Sequence, residues 1–275
     1  MTNNHITAVL VVLMTYGCQK PSENTTTGNP FVSVAITSSS ANATVAKNSI
    51  WDLILKKSYA YPPPASMPDA SGNVVVVNSI WINFGRIEFK FDELAGGSEV
   101  DGDSVQFDGV YAIDMLSSSP QSFVSGNINI SLMRRVKLKL EKAITLPAGA
   151  PSGFLGKSIF VSGTVNGNAF TYSTEDETVI EISGPTLLSA ITNSTILIEL
   201  QIANLIKKTN LSAITSTTNI DDNNRVAVTN PCAGIESGAS DLFTCFYKGL
   251  EKESDLGRDD DGDFVIDPEE VSVND

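Results

Sequence analysis

Asn78–Asp92 reads NSIWINFGRIEFKFD, and its apolar residues keep a period of two with one interruption. Ile80, Ile82 and Phe84 share one parity, and Ile87, Phe89 and Phe91 share the other, with Arg86, Glu88 and Lys90 between them. Successive strand side chains point to opposite faces, so this period marks a half-buried β-strand. The parity changes at Gly85. One extra residue flips the pleat, so a β-bulge at Gly85 would keep all six apolar side chains on one face.

Working outward, the same period recurs. Upstream, Phe31–Ser38 alternates with Val32, Val34 and Ile36 on one side. Downstream, Val110–Leu116 and Asn127–Lys142 are expected strands, as are Val179–Ile182 and Thr195–Ile202. Ser158–Val165 and Ala169–Ser173 flank Asn166-Gly167-Asn168, and Asn-Gly between apolar runs is a strong hairpin signal. Turn clusters at Ala95–Gly102, Ser117–Gly126 and Leu146–Gly156 separate these runs. Thr44–Tyr59, with Ile50, Trp51, Leu53, Ile54 and Leu55, suits either a short helix or a buried extended run. Eight or nine strands with little helix give an all-β fold, with a β-sandwich over 31–211 preferred to a barrel.

Past that point the composition changes. Residues 212–229 are rich in Ser, Thr, Asn and Asp and read as a linker. Residues 230–275 read as a disulfide loop, a short helix and an acidic tail. Ser240 is a cap for a helix over Asp241–Lys248, with Leu242, Phe243, Phe246 and Tyr247 on its apolar side and Gly249 as its stop.

The N-terminal run Ala8–Cys18, AVLVVLMTYGC, resembles the signal peptide and lipobox of bacterial lipoproteins, in which the cysteine carries lipid. It is shorter than the roughly 20 apolar residues a spanning helix needs. It departs from the usual pattern in having Thr15 three positions before Cys18 and no Lys or Arg ahead of the apolar run. On this reading residues 1–18 are a signal peptide and Cys18 is the lipidation site. Gln19–Pro30 is then a flexible tether of about 40 Å maximum reach.

Counting narrows the chemistry. The only histidine is His5, inside the expected signal peptide. A mature chain would therefore have no Ser-His-Asp or Cys-His site and no histidine-ligated zinc. With Cys18 lipidated, Cys232 and Cys245 remain, and in an exported protein they most simply pair. Glu251–Asp275 carries eleven acids against Lys252 and Arg258, a net of −9 out of −14 for the chain. Acidity is thus a property of the tail, and nucleic acid is not an expected partner.

The tail acids have ligand spacing. Asp259–Glu270, DDDGDFVIDPEE, can be laid on the twelve-residue calcium loop of the EF-hand. That loop needs oxygen ligands at positions 1, 3 and 5, a carbonyl at 7, a ligand at 9 and a bidentate Glu at 12. Those positions are Asp259, Asp261, Asp263, the Val265 carbonyl, Asp267 and Glu270, with Ile266 at the apolar eighth place. Phe264 stands where the loop usually turns on Gly. The competing reading is a solvated acidic terminus.

Arg134, Arg135, Lys137, Lys139 and Lys142 form the basic patch, and Arg135, Lys137 and Lys139 share one strand face. That face is a candidate contact for anionic glycan or lipid headgroups, or simply the solvent side of a strand. Tyr59 and Tyr61, beside the proline run, are candidate sugar-stacking residues, whereas Trp81 is expected in or beside the core. Asp101 with Asp103, and Glu175 with Asp176 and Glu177, are read as loop acids, although paired carboxylates can serve glycosidases.

As a whole the chain resembles surface lipoproteins of unknown function of the spirochaete type. Asn78–Asp92, Gly156–Phe170, Asn230–Ser254 and Asp259–Asp263 carry the resemblance. It implies an immunoglobulin- or transthyretin-like sandwich held at the outer membrane by lipid, with surface exposure, and it supplies no catalytic residues. The expected role is a non-enzymatic binding or adhesion module for a glycan or protein, with calcium in the tail. The opposing readings are a carboxylate-dependent glycan hydrolase and a purely structural envelope component.

Overall fold

The computed structural model describes residues 31–39, 66–91, 104–117, 121–127, 132–189, 195–235, 238–260, 266 and 270–273. Its strands are β1 (Phe31–Ser39), β2 (Met67–Pro68), β3 (Val74–Phe91), β4 (Ser104–Asp114), β5 (Gln121–Asn127) and β6 (Leu132–Leu140). They continue as β7 (Ile159–Val165), β8 (Asn168–Thr174), β9 (Val179–Ser189), β10 (Thr195–Gln201), β11 (Thr218–Ile220) and β12 (Ser254–Asp259). Among the described residues there are two α-helices, α1 (Ile202–Lys208) and α2 (Leu242–Lys252). No helix among the described residues is long and apolar enough to cross a membrane.

The strands form two sheets, and β3 is the spine of the larger. Along one edge β3 pairs first with β7 and then with β6; along the other it pairs with β2 and then β4. The pairing shifts register between Phe84 and Arg86 against both β4 and β6, which is the bulge expected at Gly85. A second shift lies between Val77 and Ser79. Together the two shifts keep Val75, Val77, Ile80, Ile82, Phe84, Ile87 and Phe89 buried along one strand. The larger sheet runs β11-β8-β7-β3-β6-β9, and the smaller runs β12-β10-β1-β5.

The apolar faces of the two sheets share one core. Val34, Ile36, Ile196, Ile198, Leu200 and Leu256 of the smaller sheet join Ile87, Phe89, Val136, Leu138, Ile180 and Ile182 of the larger. The architecture is all-β and sandwich-like. On the opposite face of β3, Trp81 packs with Ala143, Phe154 and Phe160 under the 141–157 connection, its ring 5.7 Å from that of Phe154. The β7–β8 turn is the expected hairpin, with Asn166 and Gly167 at φ 49° and 85°.

Several boundaries differ from expectation. The Ser117–Gly126 turn cluster contains most of β5, and β6 begins at Leu132 instead of Asn127. β5 gains its pairing partner from β1, far off in sequence, which no local pattern reveals. Residues 212–229, read as a linker, place β11 parallel to β8 and bury Ile214 and Ile220 in the common core. Burying each such side chain contributes about 2 kcal/mol, a strong tether for a polar stretch. Asp241, not Ser240, caps α2, its carboxylate accepting the Thr244 amide at 2.8 Å. Gly249 lies inside α2, not after it. A Cβ there would collide with Leu205 of α1, so the glycine serves helix contact and the helix ends at Glu253.

The described residues from 230 onward are likewise built into the fold. Cys232 and Cys245 are joined, as expected, with Cα atoms 5.4 Å apart. Phe243 and Phe246 of α2 pack on Tyr172 of β8 at 5.5 and 5.0 Å between ring centroids, and β12 pairs with β10.

Candidate functional site

The described residues on either side of the acidic segment pair with one another. β12 runs up to Asp259, and residues 271–273 return beside it, with the Arg258 amide donating to the Val271 carbonyl at 3.0 Å. The Val273 amide donates to the Leu256 carbonyl at 2.8 Å, and Gly257 bridges Ser272. The Val273 carbonyl in turn accepts from Thr186 of β9 at 3.2 Å. This pairing therefore stitches an edge of the smaller sheet to an edge of the larger.

This closure brings the ends of the twelve-residue stretch together. Asp259 is 3% exposed and Glu270 9%, and the Asp260 amide donates to Glu270 Oε1 at 2.6 Å. Asp260, at the second position, is turned to Arg258, which donates from Nη2 at 2.7 Å and gives its Nη1 to Ser189. The Arg258 guanidinium holds the Asp260 carboxyl below its usual range, and Asp260 raises the guanidinium in return. Ile266 packs against Gly257, where any Cβ would strike it. Asp261, Asp263, Val265 and Asp267 lie outside the described residues, as do Cys18, Tyr59 and Tyr61. Among the described residues no group of three or more acids, cysteines or histidines is placed to hold a metal.

The basic strand face is a second site. Register sets three rows across β4, β3, β6 and β9: Asp108–Arg86–Lys139–Val179, Gln106–Glu88–Lys137–Glu181, and Ser104–Lys90–Arg135–Ser183. Arg135, Lys137 and Lys139 thus stand on one face, as their parity required, joined there by Arg86 and Lys90 of β3. Glu181 lies 3.4 Å from both Arg135 and Lys137, and Glu88 3.5 Å from Lys90. Burial raises the Glu88 carboxyl, but Ser104, Lys90 and Gln106 together bring it below its ordinary value. Lys139 is exposed and has no ion-pair partner among the described residues. A pocket of about 480 Å³ opens at the β9 side, lined by Lys137, Val179, Glu181, Ser183, Glu251 and Lys252.

Two polar groupings carried no local sequence signal. Glu199 and Asp255 are registered partners on β10 and β12, both buried. At the end of β8, the Tyr172 hydroxyl is buried without a hydrogen-bond partner among the described residues, and its pKa is raised by burial and then by Asp222, Tyr247 and Asp176. The Asp222 carboxyl is itself raised by desolvation and by Asp176, against the pull of Arg225. Of the expected loop acids, Glu175 is an ion-pair acceptor for Lys157 at 2.7 Å and Lys142 at 3.4 Å. These two lysines hold its carboxyl below the usual range.

Comparison of the chain with family profiles, curated proteins and solved structures returns no match.

Proposed function

We propose that this chain is a non-enzymatic binding or adhesion module, held at the bacterial outer membrane by lipid on Cys18, with one calcium ion in the Asp259–Glu270 loop. The observation that carries the calcium reading is the closure of the loop by the Asp260 amide on Glu270. It ties the second loop position to the twelfth and so keeps the two ends of the stretch together, which supports a twelve-residue calcium loop. The second position, not a ligand in such loops, is occupied by Asp260, which pairs with Arg258. The apolar eighth residue, Ile266, is packed inward on Gly257. A hard cation with carboxylate ligands would offset the repulsion of the loop acids.

Binding is favoured over hydrolysis by the shape of the charged surface. Its described carboxylates sit in rows with cations, and the buried pair Glu199 and Asp255 does not line the pocket. We read the two-sheet architecture as an immunoglobulin- or transthyretin-like sandwich, which suits a face-presenting module.

The test is a calorimetric calcium titration of the full chain, repeated with Asp261→Asn and Asp263→Asn together. Saturable heat and a calcium-dependent rise in Tm, both lost in the double variant, are expected; at a hundredfold excess over Kd the stabilisation would be about 2.7 kcal/mol. Absence of heat and of any chelator effect on Tm would overturn the calcium reading. Fatty-acid labelling in a bacterial host, abolished by Cys18→Ser, tests the anchor.

A further inference from the structure

We propose that the outer face of β4, β3, β6 and β9 binds an acidic polysaccharide through Lys90, Lys137 and Lys139. The inference rests on the binding-module reading and gives its ligand a chemistry. Like charges directly opposite on neighbouring strands destabilise a sheet. This face nevertheless sets Arg86 beside Lys139 and Lys90 beside Arg135. A surface arranged only for stability would alternate the signs. Arg86, Lys90, Arg135, Lys137 and Lys139 outnumber Asp108, Glu88 and Glu181, so the face is positive on a chain of net charge −14. Such a local reversal of sign concentrates polyanions at that face.

Distances separate the cations that are held from those that are available. Lys157, Lys208 and Arg258 meet their carboxylates at 2.7 Å or less, the range of strong charge-assisted bonds. Arg86 is held as tightly, by Asp108 at 2.6 Å. Lys90 and Lys137 stand 3.5 and 3.4 Å from theirs, and Lys139 has none among the described residues. These three can turn to an anion at little cost.

The interleaved carboxylates choose among polyanions. A nucleic-acid backbone or an anionic bilayer is best met by cations alone. Glu88 and Glu181 would repel both. An acidic sugar chain presents hydroxyl donors as well as carboxylate or sulfate groups, and suits a face that offers acceptors between donors. Three rows at two-residue spacing extend about 13 Å, the length of a short oligosaccharide, and the pocket beside Lys137 and Glu181 continues the surface.

The experiment measures binding of the full chain to heparin and to polygalacturonate, with mannan, single-stranded DNA and phosphatidylglycerol vesicles as comparators. Saturable binding to the acidic polysaccharides is expected. It should weaken between about 50 and about 200 mM salt and fall about tenfold in K137Q/K139Q, with Tm unchanged. An undiminished affinity in that variant would overturn the inference, as would equal affinity for DNA or vesicles. Binding of mannan in preference to both polyanions would overturn it while leaving the binding-module reading in place. Binding to none of the glycans would overturn it too, and the calcium titration would still be read independently.

Discussion

Glu270 reaches across the paired C-terminal segments to accept the Asp260 amide at 2.6 Å. One carboxylate oxygen thereby performs a structural task, closing the loop, while the residue stays 9% exposed. The two roles can be separated. Glu270→Gln keeps a carbonyl acceptor for the amide but loses the charge, whereas Glu270→Ala loses both. The glutamine variant should retain its Tm within a few degrees and lose at least about tenfold in calcium affinity, since position 12 supplies a bidentate ligand. The alanine variant should in addition be destabilised by about 2 kcal/mol, the scale of a hydrogen bond to a charged acceptor. Denaturant unfolding and calorimetry on the same preparations decide this. Equal calcium affinity in wild type and glutamine variant would remove Glu270 from the proposed site.

Gly163 of β7 lies opposite Val77, at the first register shift of β3. A Cβ on Gly163 would run into the Val76 carbonyl oxygen and the Phe170 ring. Backbone cannot yield as a flexible side chain can. Gly163→Ala is therefore expected to destabilise the fold by about 2–3 kcal/mol, the upper part of the overpacking range, seen as a lower midpoint in denaturant. A neutral result would mean that β3 and β7 do not pair in this register.

The contrast between these two places shows what the sequence can carry. The Gly85 bulge was legible because a change of parity is written in consecutive residues, and the Asn166–Gly167 hairpin because its turn type selects those residues. The basic face was legible as far as one strand, Arg135, Lys137 and Lys139. Its completion by Arg86, Glu88 and Lys90 needed the β3–β6 register, which nothing local fixes. The residues Asp259–Glu270 were legible as a ligand pattern, but the closure was not, since Val271–Val273 are only an edge once β12 exists. Polar residues 212–229 misled because composition reports exposure on average, and two isoleucines were enough to anchor a stretch whose other residues stay largely exposed.

Asp69 ties distant segments together. Its Oδ1 accepts the amides of Ser71 and Asn73 at 2.8 and 2.7 Å, and its Oδ2 accepts Asn73 Nδ2 and the Leu211 amide, both at 2.8 Å. The Leu211 bond links the turn before β3 to the chain just beyond α1. Asp69→Ala would leave these donors unmatched, the Leu211 amide among them in a buried setting, and should cost about 3 kcal/mol. Hydrogen exchange would localise the loss. The Asn73 and Leu211 amides should lose protection first, and uniform loss across all strands would contradict the local role.

Two exposed acids should give pH dependences of opposite sign. Asp260 is held below the ordinary carboxylate value by Arg258. Its contribution to stability is present above the unfolded value of about 3.9 and is lost as pH falls toward the depressed folded value. Asp222 is raised by desolvation and by Asp176. Its folded form takes up a proton more readily than its unfolded form, so stability falls as pH rises from the unfolded value through the raised one. Both side chains are about two-fifths exposed, so solvent screening keeps the effects small. Asp222→Asn should therefore raise Tm slightly at pH 7 and lose that advantage below the ordinary carboxylate range, while Asp260→Asn should lower Tm at pH 7 and have no effect in acid. Thermal unfolding of the three proteins across that range reads the result. If Asp222→Asn destabilised at neutral pH, Arg225 and not Asp176 would govern that carboxylate, and the cluster around the Tyr172 hydroxyl would be an ion pair instead of a strained acid pair.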